Sequence, residues 1–137
     1  MLERAIEHAC KAHKGQKRFN GEPYILHPIR VMLKMKDEAS QIVAIMHDVF
    51  EDSSLVINDF AYEFPEQVIE ALKLLTHGEE TYESYLDKIK NNALALKVKL
   101  ADIRDNFYRL DKIANEKIRN RLYEKYSKAL KMLGVTK

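Results

Sequence analysis

Apolar residues recur along this chain at intervals of three and four, the spacing of a buried helical face, nearly from end to end. Leu2, Ile6, Ala9 and His13 mark a first helix that closes near Gly15. Asn20-Gly21-Glu22-Pro23 reads as a loop. A short helix is expected from Pro28 to about Lys36, because proline suits a first helical turn. Ile42-Val43-Ala44-Ile45-Met46 is apolar all round, as in a buried helix, with Ser40 as its expected N-cap and Asp52 near its end. Asn58 is read as the cap of a short helix, and Phe64-Pro65 separates it from another over Glu66 to Thr76, ended by His77-Gly78. Further helices are expected from Tyr82 to about Lys90 and from about Ala93 to Leu110, then over a last segment apolar at Ile118, Leu122, Ala129 and Leu133. No alternating strand pattern is present, and four glycines and three prolines in 137 residues suit an all-α fold. The expectation is a compact single-domain helical bundle spanning 1–137.

Charge and cysteine usage narrow the classes. A net charge of +2 argues against a dedicated nucleic-acid binder, but its distribution is uneven. Residues 37–83 carry twelve acids and one base, Lys73, whereas residues 111–137 carry eight bases and three acids. An acidic middle suits a cation site, with most of those acids on a solvated face. Cys10 is the only cysteine, so an intrachain disulfide is excluded and a reducing, cytoplasmic setting is the natural reading. No signal peptide is evident, and no apolar run approaches the ~18 residues of a membrane span.

Candidate chemistry gathers at the end of the apolar helix, in His47-Asp48-Val49-Phe50-Glu51-Asp52. A helix advances about 100° per residue, which sets Glu51 one turn beyond His47 and Asp52 one turn beyond Asp48. Crowded carboxylates beside an apolar core repel one another and are costly to bury unless paired or metal-bound. Two distant segments offer further ligand-type groups from apolar surroundings: His27 beside Pro28, and Asp102 at the end of a stripe with Ala95 and Val98. Two imidazoles and two carboxylates make a mixed nitrogen/oxygen set, better matched to six-coordinate manganese or iron than to closed tetrahedral zinc. Plainer readings stand beside this one. His47 and Asp48 could be a hydrogen-bonded helix-terminal pair, Glu51 and Asp52 exposed acids before a turn, and Asp102 a partner of Lys99 or Arg109 on its own helix.

Four segments in order carry a resemblance: Ala12-His13-Lys14-Gly15-Gln16, Gly21 to Pro28, His47 to Asp52, and Val98-Lys99-Leu100-Ala101-Asp102 with Asn106. Together they resemble the HD-domain phosphohydrolases, and within them the RelA/SpoT-type hydrolase domain and its small stand-alone alarmone hydrolase relatives. The resemblance implies a divalent metal, usually manganese, held by His27, His47, Asp48 and Asp102. It also implies that Glu51 and Asp52 position or deprotonate the attacking water. Asn106 would help hold a small-molecule nucleotide. Arg18 and Arg109 are further candidates to contact the substrate by offsetting its phosphate charge, and Tyr24 either flanks a base or packs the core. The implied reaction is removal of the 3′-pyrophosphate from guanosine tetra- or pentaphosphate. Two positions depart from the family pattern: Phe19 stands where a second basic residue is usual, and Arg109 where a small hydroxyl residue is usual. A phosphohydrolase acting on another nucleotide or small phosphoester, and a non-enzymatic nucleotide-binding module, are the alternatives.

Overall fold

A computed structural model describes residues 1–135, and of Asp52 the backbone alone. Among the described residues the chain forms eight α-helices, two 3-10 turns and no strand longer than an isolated bridge. The helices are α1 (Leu2–Ala12), α2 (Leu26–Leu33), α3 (Glu38–Met46), α4 (Val49–Asp52), α5 (Glu66–Leu75), α6 (Tyr82–Lys90), α7 (Ala93–Tyr108) and α8 (Glu116–Met132). The expected all-α bundle is therefore observed.

The apolar run Ile42–Met46 makes α3 the central helix, fully buried over those five residues. It packs against α1, α2, α5 and α7. Helix α7 lies against α2, α3, α5, α6 and α8, so it joins the two halves of the bundle. Its buried face runs through Ala95, Val98, Asp102 and Asp105, spacings of three and four that keep one stripe turned inward. That stripe begins apolar and ends acidic.

Several boundaries differ from the sequence expectation, each for a local reason. Asp37, not Ser40, caps α3: its carboxylate accepts from the Ser40 amide at 2.9 Å and from the Ser40 hydroxyl at 2.7 Å. Helix α2 begins at Leu26, two residues before Pro28, so His27 lies in its first turn. The helix read as continuous to Asp52 stops at Met46, and a separate short turn, α4, begins at Val49. The Ala44 carbonyl, which an unbroken helix reserves for the Asp48 amide, receives the His47 ring nitrogen Nδ1. Asn58 lies inside a 3-10 turn, Ile57–Phe60, rather than capping a helix.

Between α1 and α2 the backbone forms a small hairpin. Lys17 and Pro23 bridge it, the Arg18 amide donates to the Glu22 carbonyl at 2.9 Å, and Gly21 turns it at φ 81°. That positive φ is favourable for glycine alone. Arg18, Phe19, Glu22 and Tyr24 are thereby displayed together on one projection.

Candidate metal centre and adjoining cavities

Three segments converge at the acidic end of α7. The first turn of α2 supplies His27, the break between α3 and α4 supplies His47 and Asp48, and the inward stripe of α7 supplies Asp102. Each of these four residues offers one donor atom, and the four atoms lie within 4.8 Å of one another. His27 Nε2 is 2.8 Å from Asp102 Oδ1 and 3.9 Å from Asp48 Oδ2. His47 Nε2 is 3.1 Å from Asp48 Oδ2 and 3.4 Å from Asp102 Oδ1. His27, His47 and Asp102 are buried, and Asp48 is nearly so.

The surroundings demand positive charge. Burial opposes protonation of His47, but the facing Asp48 and Asp102 carboxylates outweigh it and raise its pKa well above the ordinary value. Burial likewise penalises the Asp102 carboxylate, yet Lys99 and His47 hold its pKa well below the usual range. Asp48, against the same penalty, is lowered to about 2, chiefly by His47. Lys99 Nζ donates to Asp102 Oδ2 at 3.0 Å, which leaves Oδ1 facing both imidazoles. His47 Nε2 is buried without a hydrogen-bond partner, while its Nδ1 is engaged by the Ala44 carbonyl. A buried, unpartnered imidazole nitrogen aimed at two carboxylates is what a cation site requires, and this donor set fits one divalent ion.

An open cavity adjoins the cluster, lined by Tyr24, Asp48, Glu51, Lys99, Asp102 and Asn106 together with His77, Tyr82, Tyr85, Lys125 and Tyr126. Glu51 accepts from the His77 amide at 2.7 Å. Burial raises its carboxyl pKa, and the neighbouring Asp48 adds to the effect. Tyr24 donates its hydroxyl hydrogen to Asp48 Oδ2. Asn106, one turn beyond Asp102, donates to it at 3.3 Å and accepts from Arg18 Nη2 at 2.7 Å. A second, smaller cavity meets the first at Asn106 and Tyr126 and is lined by Arg18, Phe19, Arg109 and Lys112.

The described residues put forward as site residues thus fall on two adjoining cavities or on the cluster beside the first of them. The structure brings together His27, His47, Asp48 and Asp102, then Glu51, Tyr24 and Asn106 beside them, with Arg18 and Arg109 farther out. The Asp52 side chain lies outside the described residues. The pairing of Asp102 with Lys99 is also present, alongside the cluster rather than instead of it. His13 is buried at the end of α1, its Nδ1 2.9 Å from Gln16 Oε1 in the loop that follows. His77 is exposed, and its ring stacks on Tyr85 with centroids 4.5 Å apart.

Asp105 and Arg30 were missed. Asp105 is buried, 2.7 Å from His27 Nδ1, and Arg30 grips it with Nε at 2.9 Å and Nη2 at 3.1 Å. The signal available was spacing: Asp105 follows Asp102 by three residues and Arg30 follows His27 by three, so each shares its ligand's helical face.

No protein-family model matches the chain. Over 98% of its length it is 31% identical to the guanosine-3′,5′-bis(diphosphate) 3′-pyrophosphohydrolase of Aquifex aeolicus (strain VF5), and it covers 22% of that protein. It is 37% identical over 93 residues to the bifunctional (p)ppGpp synthase/hydrolase SpoT of Escherichia coli (strain K12), a match covering 65% of the chain and 12% of SpoT. The chain therefore spans about a fifth or less of the length of these curated relatives. Among solved structures it superposes on a metazoan ortholog of SpoT that hydrolyses ppGpp. The TM-score is 0.81 at 23% identity, over 98% of this chain and 86% of the other, and establishes the common fold. With sequence relatives along nearly its whole length and this helical architecture around an HD-type cluster, the chain belongs to the RelA/SpoT-type HD hydrolase domains.

Proposed function

We propose that this chain is a manganese-dependent alarmone hydrolase, a single domain over 1–137, that removes the 3′-pyrophosphate of guanosine tetra- or pentaphosphate to leave GDP or GTP. The observation that carries this reading is the convergence of His27, His47, Asp48 and Asp102 on one point beside a cavity that also presents Glu51. The names of the sequence relatives agree with it. In this reading the four residues hold the ion, and their mixed imidazole and carboxylate donors suit manganese. When bound, a divalent ion supplies Lewis acidity to a phosphoryl oxygen and lowers the pKa of a bound water.

The chain's own groups do the rest. Glu51, with Asp52, accepts the proton of the attacking water, and the raised pKa of Glu51 brings it nearer the working range of a general base. Lys99 and Lys125 offset phosphate charge within the larger cavity, and Arg18 and Arg109 do so in the smaller one. Asn106, at the junction, is placed to hydrogen-bond a sugar or phosphate, and Tyr24 both lines the cavity and steadies Asp48. The cytoplasm, where nucleotides circulate and a free thiol such as that of exposed Cys10 stays reduced, is the assigned compartment.

The test is direct. Metal-stripped protein is incubated with guanosine tetraphosphate, with and without manganese, and released pyrophosphate is measured. Manganese-dependent release, abolished in His47→Ala and Asp102→Ala, is the expected result. Absence of release from a manganese-loaded chain discards the alarmone. It would move the reading to another nucleotide phosphoester, which one observation favours: Phe19, 74% exposed at the rim of the smaller cavity, brings no charge to a polyphosphate.

A further inference from the structure

Of the two cluster histidines, His27 is the one whose second ring nitrogen is held by a charged group, whereas that of His47 meets a main-chain carbonyl. Its Nδ1 lies 2.7 Å from Asp105 Oδ2, and that carboxylate is buried at 4% exposure. An ionised carboxylate only accepts, so Nδ1 carries the hydrogen and a neutral ring presents a lone pair at Nε2. Nε2 in turn faces Asp102 Oδ1 at 2.8 Å, another acceptor. Two acceptors at that separation are reconciled by a positive charge, which is the condition a metal ligand must meet.

Asp105 does not hold this position alone. Arg30, one turn beyond His27 on α2, clamps it with two parallel contacts, Nε to Oδ1 at 2.9 Å and Nη2 to Oδ2 at 3.1 Å. The remaining arm of the guanidinium, Nη1, donates to Glu22 Oε1 at 3.0 Å on the hairpin that carries Arg18. The chain of contacts therefore runs from the hairpin through Glu22, Arg30 and Asp105 to His27, crossing between α2 and α7. A carboxylate that only pinned the two helices would need Arg30 and no imidazole.

We propose that Asp105 and Arg30 are positioning residues for the metal: Asp105 fixes the His27 tautomer and ring orientation, and Arg30 fixes Asp105. Neither lines the two cavities assigned to the substrate. The proposal rests on the metal-site half of the functional reading above and is independent of the alarmone.

The experiment measures manganese affinity by calorimetry on the metal-stripped full chain, with the visible spectrum of the cobalt-substituted protein as a second readout. Asp105→Asn and Arg30→Met are each expected to weaken manganese binding by about 10–100-fold and to alter the cobalt spectrum. The double variant Arg30→Met/Asp105→Leu separates positioning from structure. Replacing a buried ion pair by apolar groups of similar size is often neutral or stabilising, so its thermal midpoint is expected near that of the parent. Its manganese affinity is expected to stay low, because His27 Nδ1 has lost its acceptor. Single-variant affinities within about threefold of the parent overturn the proposal. Recovery of affinity together with stability in the double variant overturns it too, and so does a parent chain that binds no divalent ion. A parent that binds one manganese but releases no pyrophosphate defeats the alarmone reading and leaves this one standing. Unchanged affinity in the variants of an active parent does the reverse.

Discussion

Asp48 and Glu51 stand less than one turn apart and meet opposite surroundings. Burial works against both charges, but His47 holds Asp48 down to about 2, whereas Glu51, without so close a cation, is pushed up. In the proposed function, neighbouring carboxylates are thus divided between a low-pKa group suited to hold a cation and a group able to take a proton. Glu51→Gln is expected to lower turnover by about 10²–10⁴-fold. Manganese affinity should remain that of the parent; a parallel loss of the metal in calorimetry would instead make Glu51 a ligand. At this scale much was legible, because an acid or histidine closing an apolar stripe is anomalous in the sequence itself, as at His47, Asp48 and Asp102. Asp105 and Arg30 were not, since each looks like an ordinary helix charge until its partner is brought in from 75 residues away.

Among the elements, α3 shows how a cap and a break place a site. Ser40 and Asp37 are both good capping residues, three apart, and local pattern alone does not choose between them. The structure chooses Asp37, which leaves Ser40 buried as its partner. At the other end, apolar periodicity continues smoothly past Met46 and gives no warning of the interruption. The cause is a side chain, His47, meeting a main-chain carbonyl of its own helix. Asp37 also allows a test of the cap. The Ser40 backbone and hydroxyl contacts, with help from Lys97, lower its pKa to about 2 in the folded chain. The unfolded value is about 3.9, so between the two the unfolded chain binds more protons and stability rises with pH. The contribution of the ionised cap is therefore full above the unfolded pKa and is lost as pH falls through the folded one. Asp37→Ala should cost about 1 kcal/mol in urea denaturation at pH 7. The gap between parent and variant should narrow toward pH 2, and a gap independent of pH would mean that the carboxylate charge plays no part in the cap.

For the whole molecule, the metal is expected to act as a folding ligand, since the four donors meet only in the native chain. Manganese at about 100 times its dissociation constant should add about 2.7 kcal/mol. For a chain of this length that corresponds to a rise in thermal midpoint of about 10 °C. His47→Ala should abolish the rise while still melting cooperatively, and an undiminished rise would place the ion elsewhere. The all-α architecture and most helix spans were readable in advance because a 3.6-residue period is a local property of the chain. Which helices touch is not local, and so neither cavity was foreseen, nor the meeting of Arg18 with Asn106.

That scattering of the donors along the chain has a consequence for how the protein is made. His27, His47 and Asp48 all leave the ribosome well before Asp102, which lies 75 residues after His27 on α7. Until α7 has been synthesised and has docked against α2 and α3, the growing chain holds three of the four donors and lacks the Asp105 acceptor for His27. Metal capture therefore waits for α7, and an ion retained by the chain certifies that α7 has closed on α2 and α3.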